Sequence, residues 1–522
     1  MVSRSVTARA STAGSSRVSP RAAFWVSFLL LFVVIAGWSV TNPAMASPDE
    51  PAHAVKAAAT VRGEFFADES GYTQGRGEFE VPELFYQGWT LGCFAFHSEM
   101  PASCSPRLTG DLGALRKVVS HVARYNPIYY AIIGGPSLVP SQVTFTLMRL
   151  ISALLNALLL ALAVRSVAEL RRPCWPLAGV VVAATPMTIF IASSMTPQGP
   201  EISGAILTAV LLLALTRDSD PGLLDRRMWR LVVATLFFVT SRGLSPAYLA
   251  LIAVFVLLAI PRLDVVRDLL RTRRVWPQII LCLVISLAAT SYTLLTDALT
   301  VGFPFPDPSL TVGSVIATMT ANTPSYLEQC LGVFGFGDTH LPMWALVVIG
   351  GMVAIVVLVG LAAATWRERV VIVLVFVTVL VLPILLQLAS FRQLGIIWQG
   401  KYILPIAVLL PILAGFVAER GPIGNAISAK TVAALLAVAA TMQVVAFAVN
   451  THRYINGASG PWTTLVHAAW LPPVNLWVML AVEVAGWAAI AVMGRRVCDG
   501  PRSTASAPMD QSPTAVSTPR VS

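Results

Sequence analysis

Apolar runs of about 16 to 24 residues, each long enough to cross a bilayer with some tilt, recur from one end of the 522-residue chain to the other. They fall near 22–40, 143–165, 174–195, 201–216, 276–296, 343–365, 370–389, 403–419, 431–449 and 475–494. One further apolar stretch, 231–261, is too long for a single crossing. Ser241, Arg242, Gly243 and Pro246 interrupt it, and it reads as two short helices forming a hairpin. The total is about 12 transmembrane helices by the length rule. Lipid satisfies no backbone hydrogen bonds and an open sheet cannot span it, so the expected fold is an all-α integral membrane protein.

Composition agrees. Only 12% of the residues are charged and 56% are hydrophobic, where soluble domains carry about a quarter charged residues. A soluble enzyme, a disordered protein and a disulfide-dense secreted scaffold are excluded. The net charge of +10 would suit a nucleic-acid partner, but the positive residues cluster in short loops between apolar runs. That pattern sets topology, and no nucleic acid is expected. Arg far outnumbers Lys, and Ala and Val are abundant, which points to a GC-rich bacterial genome and the bacterial plasma membrane.

Threading the spans puts both termini on the side that receives most of the 36 Lys and Arg, which is the cytoplasmic side by the positive-inside rule. A polytopic membrane domain then covers 22–496, between tails at 1–21 and 497–522 too poor in apolar residues to fold. All six histidines fall outside, as do the long loops 41–142, with its amphipathic helices, and 297–342. Polar residues kept in such loops are where chemistry is sought. The first apolar run, followed by Ala44-Met45-Ala46, has an alternative reading as a cleaved signal peptide. Cys93 and Cys104, close together and facing outward, are expected to form a disulfide that stiffens the first loop.

The most informative stretch is Ser47-Pro48-Asp49-Glu50-Pro51-Ala52-His53-Ala54-Val55-Lys56. Ser47 with Glu50 forms a capping-box pattern, and Pro48 suits the first helical position. A helix starting there sets Asp49, His53 and Lys56 on one face. Asp49 either complements the helix dipole or serves as a general base for a hydroxyl nucleophile, beside cations able to hold a phosphate. The later outer segments supply Arg392, Gln399, Lys401 and Tyr402. Lys401 reads either as a phosphate ligand or as an interface anchor, and Arg242 as a functional charge or one that snorkels or pairs with an acid. Asp338, near His340 in a glycine-rich loop, suits either close approach to a ligand or a turn. Glu201 reads as a cap, Arg149 as a snorkelling residue, and Glu483 has no assigned role. Asp49, Glu50 and Asp338 would share a divalent cation if their loops met.

The motif Pro48-Asp49-Glu50-Pro51-Ala52-His53 just outside the first span is similar to that of multi-pass bacterial proteins classed as a domain of unknown function. The likeness continues through Asn126-Pro127-Ile128-Tyr129-Tyr130, Ser241-Arg242-Gly243-Leu244-Ser245-Pro246, Phe336-Gly337-Asp338-Thr339 and Gln399-Gly400-Lys401-Tyr402-Ile403-Leu404-Pro405. Arg is the more usual residue where Lys401 stands. That family in turn resembles the GT-C membrane glycosyltransferases, which use a polyprenyl-phosphate sugar and a catalytic acid in the first outer loop. The resemblance implies a GT-C-like fold and an inverting transfer to a cell-envelope glycan or glycolipid. Asp49, with Glu50, is then catalytic. His53, Arg242, Lys401 and Arg392 hold the donor phosphate, and Lys56, Tyr129, Asp338, His340, Gln399 and Tyr402 line the substrate. For an actinobacterial host it implies decaprenyl-phosphate arabinose or mannose as donor. A transporter or flippase of lipid-linked sugars is the rival reading, and it predicts polar residues deep within several spans. A glycan polymerase or ligase, or a structural assembly protein, follows.

Overall fold

The computed structural model describes residues 18–67, 76–260, 264–299, 307–462 and 468–499, apart from the side chains of 422–429. The two tails expected to be unfolded lie mostly outside these residues, as do His467 and residues 300–306 of the second outer loop.

Among the described residues nine helices are long and apolar enough to cross a membrane. The expected crossing at 174–195 is instead a pair, Cys174–Ala183 and Pro186–Ala192, bent by 64°. The reason is local: proline forces the residue before it out of the helical region, and Thr185 is extended with ψ 162. The stretch expected to form a hairpin gives helices Leu224–Val239 and Ser245–Ala259. At 16 and 15 residues these arms fall short of the roughly 20 that a spanning helix needs. Of the roughly 12 crossings expected, nine are helices of spanning length among the described residues, one is the bent pair and two are the shorter arms, so length supports nine crossings, or ten with the bent pair.

The bundle has a layered burial. Gln198–Arg217 and Gly400–Ala418 are enclosed along most of their length, while Arg273–Leu295 presents nearly all of its surface outward. The first span, Pro20–Thr41, packs along Thr144–Ala168 on one side and Leu476–Cys498 on the other. Close approach relies on small residues, as is usual where lipid gives no hydrophobic drive between helices. A side chain on Gly360, for example, would strike the Ala414 backbone.

Between Thr41 and Thr144 the first loop contains helices, as expected, together with a pair of strands that the sequence did not announce. Glu50–Thr60 is a helix with all eleven residues buried. It lies against a two-stranded antiparallel sheet, Gly77–Pro82 with Leu115–Ser120, registered from Gly77↔Ser120 to Pro82↔Leu115. The alternation of Phe79 and Val81, both buried, with Glu78 and Glu80 has the period of a half-buried strand. Short helices Glu83–Gly88 and Pro127–Ile133 flank the sheet. Cys93 and Cys104 form the expected disulfide within the excursion between the strands.

Candidate active site

The chain leaves the first span at Thr41 and enters the buried helix at Glu50, and one ion pair fixes that crossing. Arg149 clasps Glu50 through two bonds of 2.8 and 2.5 Å. It also donates to the carbonyls of Asn42 and Pro43 at 3.0 and 2.9 Å. The Glu50 carboxylate further accepts from the Met195 and Ser47 amides. Both charged side chains are buried. Glu50 is thus the anchor of the loop, and Arg149 is its partner and not a snorkelling residue.

This anchoring displaces the expected helix start. The helix begins at Glu50 with Asp49, not Ser47, as the cap, and Pro51 takes the early helical position. Asp49 stands at φ 64, ψ 0, a left-handed conformation costly for a residue with a side chain. Its carboxylate makes no capping bond. Asp49, His53 and Lys56 therefore do not form one face of a helix. The Asp49 carboxylate is turned off the helix end.

There it meets His121, whose Nε2 lies 3.1 Å from Asp49 Oδ1. Sequence reasoning did not single out His121 for the site, because 72 residues separate the pair. The strand pairing brings it there. The Ser120 hydroxyl, at the end of the second strand, donates to the Ala52 carbonyl at 2.9 Å, which sets the next residue beside the helix start.

The Asp49 side chain keeps 44% of its surface open, yet burial is the largest influence on its proton affinity. A carboxylate both open and heavily shielded from bulk solvent sits in a recess. Burial works to raise its pKa. The His121 hydrogen bond, with the charges of His121, Lys401 and His53, outweighs this and holds the group well below the usual carboxylate range.

Lys401 lies within electrostatic reach of Asp49, and Arg242 within reach of Lys401. Lys401 lies in the tight turn Gly400–Ile403 and is buried. The turn is fixed by Gln198, which donates to the Lys401 carbonyl at 2.8 Å, and by Gln329, which accepts from the Gly400 amide at 2.7 Å. Arg242 lies in the break between the two short arms. Its guanidinium sits 4.5 Å from the Tyr402 ring centre and 3.8 Å from Glu201. Glu201, expected only to cap its helix, is instead a buried counter-ion that also accepts from Ser245 at 2.7 Å. Arg242 is therefore paired with an acid and still keeps 22% of its side chain open.

Other expected members are placed elsewhere or in another state. His53 is buried with Nδ1 2.8 Å from the Tyr130 hydroxyl. Burial pushes its imidazole down to about 3, against the opposing charge of Asp49, so at neutral pH it carries no positive charge for a phosphate. Lys56 is fully buried, donates to the Phe65 carbonyl at 2.7 Å and lies 4.9 Å from the Phe79 ring centre. Tyr129 is buried on Ser152 at 3.0 Å. Asp338 pairs with Arg453 at 2.9 Å, His340 is exposed on the strand Thr339–His340, and Arg392 is exposed near the end of helix Trp366–Leu394. Gln399, half-buried, accepts from the Tyr402 amide through its carbonyl at 3.0 Å and so shapes the Lys401 turn.

Asp49, Glu50 and Asp338 do not converge on a cation, because Arg149 and Arg453 occupy the second and third. Among the described residues no group of three or more His, Cys, Asp or Glu side chains is arranged to hold a metal ion.

The family model described as "Predicted membrane protein (DUF2142)" matches residues 31–410. Among solved structures the chain is similar to that of ArnT from Cupriavidus metallidurans bound to undecaprenyl phosphate. The identity is 13%, the match covers 90% of this chain and 76% of that chain, and the TM-score is 0.42. No curated protein matches the chain.

Proposed function

The chain belongs to the DUF2142 family of membrane proteins, and we propose that it is an inverting glycosyltransferase that uses a polyprenyl-phosphate sugar, with Asp49 as general base. One observation carries the reading: a half-open carboxylate, held ionised by His121, lies within the field of the buried cation Lys401, which in turn lies within that of Arg242. The motif likeness to membrane glycosyltransferases supplies the reaction class. The charge bias of the loops supports a site on the outer face of the plasma membrane.

In this reaction an acceptor hydroxyl of a glycan or glycolipid attacks the anomeric carbon and gives its proton to Asp49. The bond from that carbon to the lipid phosphate oxygen breaks, and its electron pair leaves with the phosphate. Positive charge gathers on the sugar ring and negative charge on the departing phosphate. Lys401 and Arg242 stabilise the latter as preorganised charges in a shielded site. The low proton affinity of Asp49 makes it a weak base in the empty recess. The donor's phosphodiester, which carries a single negative charge, offsets part of the cations' pull on the carboxylate and raises that affinity when the donor is in place.

The test is release of polyprenyl phosphate from a polyprenyl-phosphate sugar by the purified protein in lipid nanodiscs supplied with a cell-envelope glycolipid extract as acceptor. Asp49→Asn is expected to slow release by about 10²–10⁴ while donor binding persists. Undiminished turnover in that variant refutes the assignment. Movement of intact donor between leaflets without release would favour the flippase reading instead.

A further inference from the structure

At the opposite end of the first span lies a cavity of about 530 Å³. It is an open cleft bordered by three helix ends: the start of Pro20–Thr41, the finish of Thr144–Ala168 and the start of Leu224–Val239. Arg21, Arg165 and Arg226 line it, with Glu169 its one acid. The 22 residues of the first span separate this cavity from the Asp49 recess, roughly 33 Å along the helix axis.

The charges do not balance locally. Glu169 already accepts from Arg230 at 2.6 Å and lies 3.4 Å from Arg165 and 4.0 Å from Arg227. Asp225, next to Arg226 in sequence, pairs with Arg274 and accepts from Gln278. Among the described residues Arg21 and Arg226 have no ion-pair partner. Two helix N-termini at the same cleft add partial positive charge, against the one C-terminus of Thr144–Ala168. The field calls for an anion.

We infer that this cavity binds the phosphate of an anionic glycerophospholipid, clamped by Arg21, Arg165 and Arg226. The surface leading away from it favours a lipid over a free anion. Arg21, Trp25 and Leu29 recur at helical spacing, and Trp25 and Leu29 are 65% and 61% exposed. An apolar track therefore runs from the arginine up the outer face of the span, where an acyl chain lies against it. Trp25 stands at the level expected of a membrane interface anchor. The chain's own N-terminal segment does not suit the cavity, since residues 1–17 carry Arg4, Arg9 and Arg17 and no acid.

The full-length protein, purified in detergent, is titrated with phosphatidylglycerol, phosphatidylcholine and inorganic phosphate, and retained molecules are counted by native mass spectrometry. Phosphatidylglycerol is expected to bind preferentially. Arg21→Gln with Arg226→Gln, at exposed positions that leave folding intact, is expected to weaken it about 25-fold, from about fivefold for each cation near an anionic headgroup. Lysine at both positions restores most of the binding. Equal retention of phosphatidylcholine, or unchanged binding in the glutamine variant, overturns the site. Displacement of the lipid by millimolar inorganic phosphate overturns the lipid assignment, because a free anion would then be the ligand.

Discussion

His121 Nε2 lies 3.1 Å from the Oδ1 of Asp49 across 72 positions of sequence, and a strand end bonded to the Asp49 helix makes the contact. If this bond holds the carboxylate ready to take a proton, its loss has a defined sign. His121→Gln removes the influence that lowers Asp49 most, so the carboxyl pKa rises toward its ordinary value. The acid limb of the pH–rate profile moves to higher pH. An unmoved limb, with the rate merely scaled, would show that His121 does not act on Asp49. Asp49→Asn itself should cost about 10²–10⁴ in rate, the range for loss of a positioned base.

Backbone strain at Asp49 can be separated from its chemistry. Glycine accepts a positive φ at little cost, whereas alanine pays about 1–2 kcal/mol for the left-handed conformation. Asp49→Gly should therefore melt higher than Asp49→Ala while both lack activity. Equal melting temperatures would place the strain elsewhere.

Glu50 is expected to behave as a structural residue. Its buried pair with Arg149 resembles those whose breakage costs about 3–5 kcal/mol because one charge is left unpaired. Glu50→Ala should give little monodisperse protein in size-exclusion chromatography. A well-folded but inactive Glu50→Gln would move this residue back among the catalytic candidates.

The buried imidazole of His53 predicts a pH dependence of stability. Its pKa is about 3 when folded, against 6.5 ordinarily. Between those values the unfolded chain binds a proton that the folded chain does not. Stability therefore falls as pH drops below about 6.5, by at most about 1.4 kcal/mol per unit from this group. In thermal melts between about pH 4 and 7, His53→Gln should flatten the slope relative to the parent.

Lys401 and Arg392 separate cleanly as candidate phosphate ligands. Lys401→Ala should weaken donor binding by roughly tenfold or more, the scale of a lost charge-assisted hydrogen bond, and Lys401→Arg should restore most of it. Arg392→Ala, on an exposed helix end, should leave it unchanged. Equal effects of the two alanine variants would disprove this placement of the phosphate.

Much of the fold was legible because apolar run length alone marks a membrane helix. Every run expected between residues 22 and 494 has its helix, and the bend in the third is written in Thr185-Pro186. The first loop was read less well. Its strands are short, and their alternation, Glu78-Phe79-Glu80-Val81, was masked by the expectation of helices. In the site, Asp49, Arg242 and Lys401 carried sequence signals: an acid beside a span, a charge in a helix break, a cation after a Gly. His121 carried none, because contact between residues 49 and 121 exists only through the strand register. His53 and Lys56 misled because spacing on a helix says which face they share, not whether that face is open. Glu50 looked like a helix cap, and only the folded chain shows the arginine 99 positions away that claims it.

The six-rung ladder that closes the first loop divides labour along the chain. Residues 83–114 depart from it and return to it, and the disulfide ties together part of that excursion. Within that excursion Trp89 stands edge-on to His121 at 6.1 Å, and Arg453 holds the carbonyls of Phe94, His97 and Met100, so a graft there must keep these contacts if Ser120 is to stay docked on Ala52 and the histidine after it is to keep its post. Under the chemistry proposed, the stretch around the Cys93–Cys104 disulfide is the part of the excursion that can vary while Trp89 keeps its place on His121, so a chimera exchanging only the residues after Trp89 tests whether that stretch alters the product while the same turnover machinery is kept.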